Sequence, residues 1–188
     1  VKESPVQIEC EVIEVKELFF NTPARKKYLK SIEVESGHII DIITRYALIH
    51  NEIHFCLLHD KKIILDSPAS KDSLAKISFI YGNIAKEILE VNYEKNSIKI
   101  QGFISKPSLS KPTKQDQSIY VNSRYIKKNV SISDAINDSY STLMMVKRYP
   151  LAILNIILPN KTIDVNVHPQ KSEIRLQNEK EIYNIVFD

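Results

Sequence analysis

Only three glycines, Gly37, Gly82 and Gly102, occur in the 188 residues of this chain. A loop that cradles phosphate brings several backbone N–H groups onto the anion, and glycine is the residue that allows so close an approach. Three isolated glycines cannot assemble GxGxxG or GxxxxGK(S/T), so the chain is not built as a self-sufficient nucleotide enzyme. Its 43% of hydrophobic residues nevertheless support a packed core and exclude a disordered polymer.

The apolar pattern alternates between the two regular periods. Val6, Ile8, Cys10 and Val12 alternate with polar residues, and Ile13 and Val15 continue on the opposite parity. This predicts a leading strand over residues 1–16, bulged near Val12. Thr22 and Pro23 are placed as cap and first residue of a short basic helix reaching Lys30. A second helix is expected over Ser36–His50, a strand pair over Ile53–Leu58 and Lys62–Asp66, and a helix over Ser70–Tyr81. Ile88–Tyr93 and Ser97–Ser105 read as a hairpin, and Lys106–Gln117, with Pro107 and Pro112, as a long loop. A strand at Ser118–Asn122, a helix at Ser131–Met145 and strands at Leu151–Leu158 and Ile163–Val167 follow. Asn178 and Glu181 form a capping pair for a last helix over residues 178–188. Helices mixed with several hairpins make the fold class α+β, a mixed sheet packed against helices.

Several functions are excluded at this level. The longest apolar run, Leu151–Leu158, is far short of the ~18 residues of a membrane span, so no membrane contact is expected. The polar opening without an initiator Met fits an excised fragment. Cys10 and Cys56 lack CxxC or histidine spacing and read as buried small hydrophobes in a reducing compartment, ahead of a disulfide or metal site. No GxSxG elbow occurs, and His38, His50, His54, His59 and His168 make no HExxH, so no metal site is assigned. The net charge of +3 is too small to argue for nucleic acid by itself, so the positions of the cations must decide.

Three segments carry chemistry. Asp164–Arg175 (DVNVHPQKSEIR) reads as a half-buried strand ended by Pro169, after which Lys171 projects from a turn near Asn166 and His168. An ammonium so placed suits a phosphate oxygen, although the residues alone favour a solvated surface lysine. Leu18–Lys27 (LFFNTPARKK) puts Arg25, Lys26 and Lys27 in the first turns of a helix, against its dipole. Either an anionic partner or a solvated basic face accounts for them. Ile119–Ile126 (IYVNSRYI) ends a strand with Arg124, followed by Lys127 and Lys128, beside Tyr120 and Tyr125. Such cations can contact a phosphate backbone or stand as isolated surface charges. Nothing there is arranged to read bases. Lys147-Arg148 forms a further basic pair.

Together these segments resemble the MutL family of mismatch-repair proteins. LFFNTPARKK is similar to that family's LF-x-NTPAR-x-K/R, NSRYI to its VN-x-R-x-I strand end, and DVNVHPQKSEIR to its DVNVHP-x-K-x-E-V/I-R. Tyr149-Pro150-Leu151 resembles the family's RYP segment. The resemblance runs from about Cys10 to the end and implies one transducer domain over residues 1–188, the second subdomain of a GHKL-type ATPase, with a left-handed βαβ crossover. It implies that Lys171 reaches the γ-phosphate of ATP and that Asn166 supports the same region. Arg124, Lys127 and Lys128, with Arg25 and Lys26, would face DNA without sequence preference. The implied partners are the ATP-binding subdomain of the same protein, a MutS-type mismatch-recognition protein, and a second MutL-type chain in a homodimer or heterodimer. The implied location is the cytoplasm, or the nucleus in a eukaryote. ATP and Mg²⁺ belong to the full-length protein. The family's Asn-Glu, DxGxG and GFRGEAL motifs are absent from these 188 residues, so the fragment alone is expected to bind no cofactor and to be inactive. Asn129 stands where some members have an arginine, and Cys10-Glu11 where a Gly-Thr opens the first strand. Two alternatives stand beside this reading: the transducer of a topoisomerase- or chaperone-like GHKL protein, and a stand-alone DNA-binding module.

Overall fold

The computed structural model describes residues 12–127, 129–159, 162–164, 175–176 and 178–188. The chain divides into two compact units, residues 1–39 and 40–188.

In the first unit, Val12–Lys16 carries no regular structure, and Val12, Ile13 and Val15 are exposed. The leading strand expected over residues 1–16 is therefore absent from its described part, and the rest of it, with Cys10, lies outside the described residues. Helix α1 (Pro23–Lys26) stops four residues short of Lys30. It buries no residue, so nothing repays ordering further turns. Thr22 holds the N-cap position through its backbone carbonyl, which accepts from Arg25 N at 2.9 Å, while its side chain makes no cap bond. Helix α2 (Ile32–Ile49) begins earlier than its apolar period requires, and the boundary between the units falls within it.

The second unit is built on a five-stranded sheet. Strands β1 (Phe55–His59) and β2 (Lys62–Ser67) form a separate hairpin, followed by α3 (Ser73–Tyr81). Asp72 caps α3, its carboxylate accepting from Leu74 N at 2.9 Å. Then come β3 (Ile88–Lys95), β4 (Ile98–Ser105), β5 (Ser110–Lys111), β6 (Gln117–Val121), β7 (Arg124–Tyr125), α4 (Val130–Ser139), β8 (Tyr149–Pro150), β9 (Ala152–Ile157), β10 (Ile163–Asp164), β11 (Arg175–Leu176) and α5 (Glu179–Phe187). The sheet order is β3-β4-β9-β6-β7, with β6 and β9 parallel and the other neighbours antiparallel. β6, α4 and β9 therefore make up the βαβ unit, in a mixed sheet packed against helices.

Alternation along the central strands feeds two cores. Ala152, Leu154 and Ile156 of β9 join Ile119 and Val121 of β6 on the face covered by Ile132 and Ile136 of α4 and Ile182 and Ile185 of α5. Ile153 of β9 and Tyr120 of β6 point the other way, toward Leu48 of α2 and Ile77 of α3. A strand buried on both faces reads as a nearly continuous apolar run, which is why β6 and β9 lack the polar half of an amphipathic pattern.

Gly102 lies in β4 between Val91 of β3 and Leu154 of β9, at φ 144°. A Cβ there would stand 1.9 Å from the carbonyl oxygen of Ile153. Lys76 is fully buried on α3, its ammonium donating to the carbonyls of Ile53 (2.7 Å), Ser67 (3.1 Å) and Pro68 (2.9 Å). This cage ties α3 to both ends of the β1–β2 hairpin.

The structure corrects several expectations. Helix α4 ends at Ser139, not Met145, because Leu143, Met145 and Val146 find no core and stand exposed. The Lys106–Gln117 segment is not an unstructured loop: β5 pairs with β8, a 3-10 turn spans Lys114–Asp116, and Ser105 Oγ donates to Leu109 O at 2.8 Å. Asn178 precedes α5 but makes no cap bond. Its amide donates to the Glu181 carboxylate at 3.2 Å instead. Cys56 is an exposed free thiol rather than a buried one.

Gly102→Ala should destabilise the chain by about 3 kcal/mol or more, since both the left-half backbone and the Ile153 carbonyl oppose a side chain. Chemical denaturation of the two proteins measures the difference. Burial also raises the phenols of Tyr81 and Tyr140 to about 12, from the usual 10. A folded-state value above the unfolded one gives stability that is complete below pH 10 and is lost as pH rises through 12. Melting temperature should fall steeply above pH 10, and Tyr81→Phe and Tyr140→Phe should each flatten that fall.

Candidate functional site

The candidate site is the tip of the β6–β7 hairpin. Asn122 and Ser123 form its two-residue turn at φ 49° and 63°, the left-handed pair that matches strand twist. Two asparagines staple this turn to β9. Asn122 donates from Nδ2 to Leu158 O at 3.0 Å and accepts from Leu158 N at 2.9 Å, so its amide acts as one more rung of the β6–β9 ladder. Asn155 Oδ1 accepts from Ser123 N at 2.9 Å. A tip held on both sides presents its cations in a fixed place.

Arg124 and Lys127 are exposed there and form no ion pair among the described residues. Asn129, in the position of a family arginine, has a structural role of its own: its carbonyl oxygen accepts from Ile132 N at 2.8 Å and starts α4. Lys128 lies outside the described residues. Arg25 and Lys26 are exposed on α1 in the first unit. The Lys147-Arg148 pair is not a free cluster, because Arg148 donates from Nε to Ser110 Oγ at 3.1 Å and holds the β5 strand.

Behind the hairpin lies a buried polar centre that sequence reasoning missed. Arg45 of α2, 5% exposed, donates to Asp41 Oδ1 at 2.8 Å, to Ser118 Oγ of β6 and to the carbonyl of Gln115. Its guanidinium lies 5.4 Å from the centre of the Tyr125 ring, which packs 5.9 Å from that of Tyr120. Tyr120 in turn donates to the Arg45 carbonyl at 2.7 Å. One arginine thus joins helix α2 to both strands of the hairpin. An arginine inside an otherwise apolar helix period was the available signal.

Lys171 and Asn166, with His168, lie outside the described residues. The ends of their segment do not: Asp164 pairs with Arg175 and Ile163 with Leu176, so β10 and β11 close residues 165–174 at their base. Leu176 is buried in the α4–α5 core and anchors that base. Among the described residues no three His, Cys, Asp or Glu side chains come together as a metal site, and no helix is long and apolar enough to cross a membrane.

The family pattern described as "DNA mismatch repair protein, C-terminal domain" matches residues 77–188, which places most of the second unit in that class. The MutL mismatch-repair protein of Halalkalibacterium halodurans is 42% identical over 173 residues, covering 92% of this chain and 27% of that protein. That of Clostridium acetobutylicum is 37% identical over 177 residues, covering 94% and 28%. The chain belongs to the MutL family of DNA mismatch-repair proteins, which sets aside a topoisomerase- or chaperone-type relative. It spans just over a quarter of the length of these relatives. Among solved structures, the N-terminal domain of a DNA repair protein superimposes with TM-score 0.74 at 28% identity, over 90% of this chain and 56% of that one. The Aquifex aeolicus MutL ATPase domain complexed with ADP shares the fold, with TM-score 0.60 at 19% identity, over 92% and 55%.

Asn122→Ala removes both bonds to Leu158 and should cost about 1–3 kcal/mol. Amide exchange should quicken at Ser123, Arg124 and Leu158 beyond the global change, which hydrogen-exchange NMR would resolve.

Proposed function

We propose that this chain is the transducer part of a MutL-type mismatch-repair ATPase, carrying a lysine to the ATP γ-phosphate and a basic hairpin to DNA. The observation that supports it most is the closed base of the DVNVHPQKSEIR segment, with Asp164 paired to Arg175 and Leu176 set in the core. A lysine that must meet a phosphate held elsewhere needs such a fixed platform.

The glycines agree with a pocket held elsewhere. Gly37 lies within α2, Gly82 ends α3 and Gly102 sits in β4, so none forms a phosphate loop. In this reading ATP and Mg²⁺ are held by the ATP-binding subdomain of the same protein, and Lys171 supplies a point charge to the terminal phosphate with Asn166 supporting it. Arg124, Lys127 and Lys128, with Arg25 and Lys26, supply sequence-independent DNA contacts, since they meet phosphates rather than base edges. Pairing of two MutL-type chains and engagement of a MutS-type protein belong to the full-length molecule.

Two measurements test the proposal. ATP turnover of the chain joined to its ATP-binding subdomain should fall about 100-fold or more with Lys171→Ala, and unchanged turnover would remove the lysine's role. Arg124→Glu combined with Lys127→Glu should reduce the slope of log affinity for duplex DNA against log salt by about two. An unaltered slope would take the hairpin out of the DNA interface.

A further inference from the structure

The outer edge of β3 offers a binding site of a different kind. β3 is the edge strand of the five-stranded sheet, pairing without interruption with β4 from Ile88 opposite Ser105 to Lys95 opposite Ile98. A two-residue turn at Asn96 and Ser97, φ 52° and 64°, closes this hairpin. In such hairpins the pair flanking the turn is hydrogen-bonded, and every second residue back from it is bonded likewise. Lys95, Tyr93, Val91 and Leu89 therefore bond β4, while Glu94, Asn92 and Glu90 turn their N–H and C=O groups outward. Among the described residues, no backbone group outside β4 bonds residues 89–95.

The side chains of the outward residues share one face. Val91 packs on the α4–α5 side of the sheet, and on that side Lys95 pairs with Asp188 at 2.7 Å and Asn96 donates to Glu181 at 3.0 Å. Glu90 and Asn92 face the other way, where they border a cavity of about 240 Å³ together with Gln101, Phe103, Ile77 and Asn51. The edge thus combines outward backbone groups, two carboxylates four residues apart and a side-chain cavity beside Glu90 and Asn92.

We propose that the β3 edge binds an extended peptide segment bearing two basic residues four positions apart, with an apolar residue midway. Main-chain bonds to Glu90, Asn92 and Glu94 would add a sixth strand. The basic residues would lie opposite Glu90 and Glu94, and the central side chain would enter the cavity beside Asn92. A second copy of this chain is a poor occupant: antiparallel pairing centred on Asn92 sets Glu90 against Glu94 twice, and like charges directly opposite repel.

The probe is a ten-residue synthetic peptide whose one face reads Lys-Val-Lys and whose other face is threonine, with a glutamate-for-lysine peptide as control. Titrated into the 188-residue chain, the lysine peptide should slow amide exchange at Glu90, Asn92 and Glu94 and leave Val91 and Tyr93 unchanged. Glu90→Lys with Glu94→Lys should weaken it about tenfold or more and favour the glutamate peptide. Asn92→Pro, which removes an outward donor and no β4 bond, should abolish binding without lowering the melting temperature by more than a few degrees. Absence of protection at saturating millimolar peptide, protection mapping elsewhere, or equal binding by the charge-reversed variant would overturn the proposal. So would a dimer in sedimentation that Asn92→Pro dissolves.

Discussion

The parallel pairing of β6 with β9 is the contact around which the second unit is organised. Parallel neighbours cannot be joined by a tight turn, so the chain must leave the sheet after β7, form α4 and return before β9. The excursion supplies the helix that covers one face of the same two strands. The opposite face is covered by α2 and α3, and both strands can therefore be apolar at successive positions. Asn122 extends the pairing beyond Val121 with a side-chain amide, which carries the stiffness of the sheet centre out to the tip where Arg124 stands. The hairpin tip is thus an extension of core geometry.

Two buried cations hold the α2–α3 layer, and they do so differently. Arg45 retains an acid, Asp41, which takes two of its four side-chain hydrogen bonds, and gives the other two to Ser118 and the Gln115 carbonyl. Lys76 has no acid in its cage and relies on three carbonyls, and burial accordingly lowers its ammonium below the ordinary lysine value. Either cation would be costly if left unmatched, since an unpaired buried charge loses several kcal/mol of hydration. Their geometry is directional where apolar packing is not. Helix α2 is located on β6 by Arg45, and α3 on the β1–β2 hairpin by Lys76.

Much of this was legible in the sequence, and the parts that were not share a cause. The hairpin strands, the apolar faces of α3 and α5 and the family segments depend on neighbours two to four residues apart, so local periodicity exposes them. Arg45 meets Ser118 across 73 positions, and Asn122 meets Leu158 across 36, distances at which no local pattern marks the partner. The segment after Lys106 looked unstructured because its order comes from the two-residue bridge to Tyr149 and Pro150, again far away in the chain. At Lys27–Lys30 and beyond Ser139 the composition allows a helix that tertiary contacts do not reward, so the helices end sooner than local pattern suggests.

The scarcity of glycine has a last consequence in the turns. The tips at Asp60-Lys61, Asn96-Ser97 and Asn122-Ser123 all hold left-handed backbone on residues with side chains. Glycine adopts that conformation without steric penalty, and lysine or serine does so at roughly 1 kcal/mol. The molecule thus carries unspent thermal tolerance in three places, none of which is needed for its two cores. A lineage or an engineer seeking a hardier version of this domain would find room at Lys61 and Ser97 first. Ser123 is less available, because its hydroxyl accepts from Asn155 at 3.3 Å and belongs to the staple.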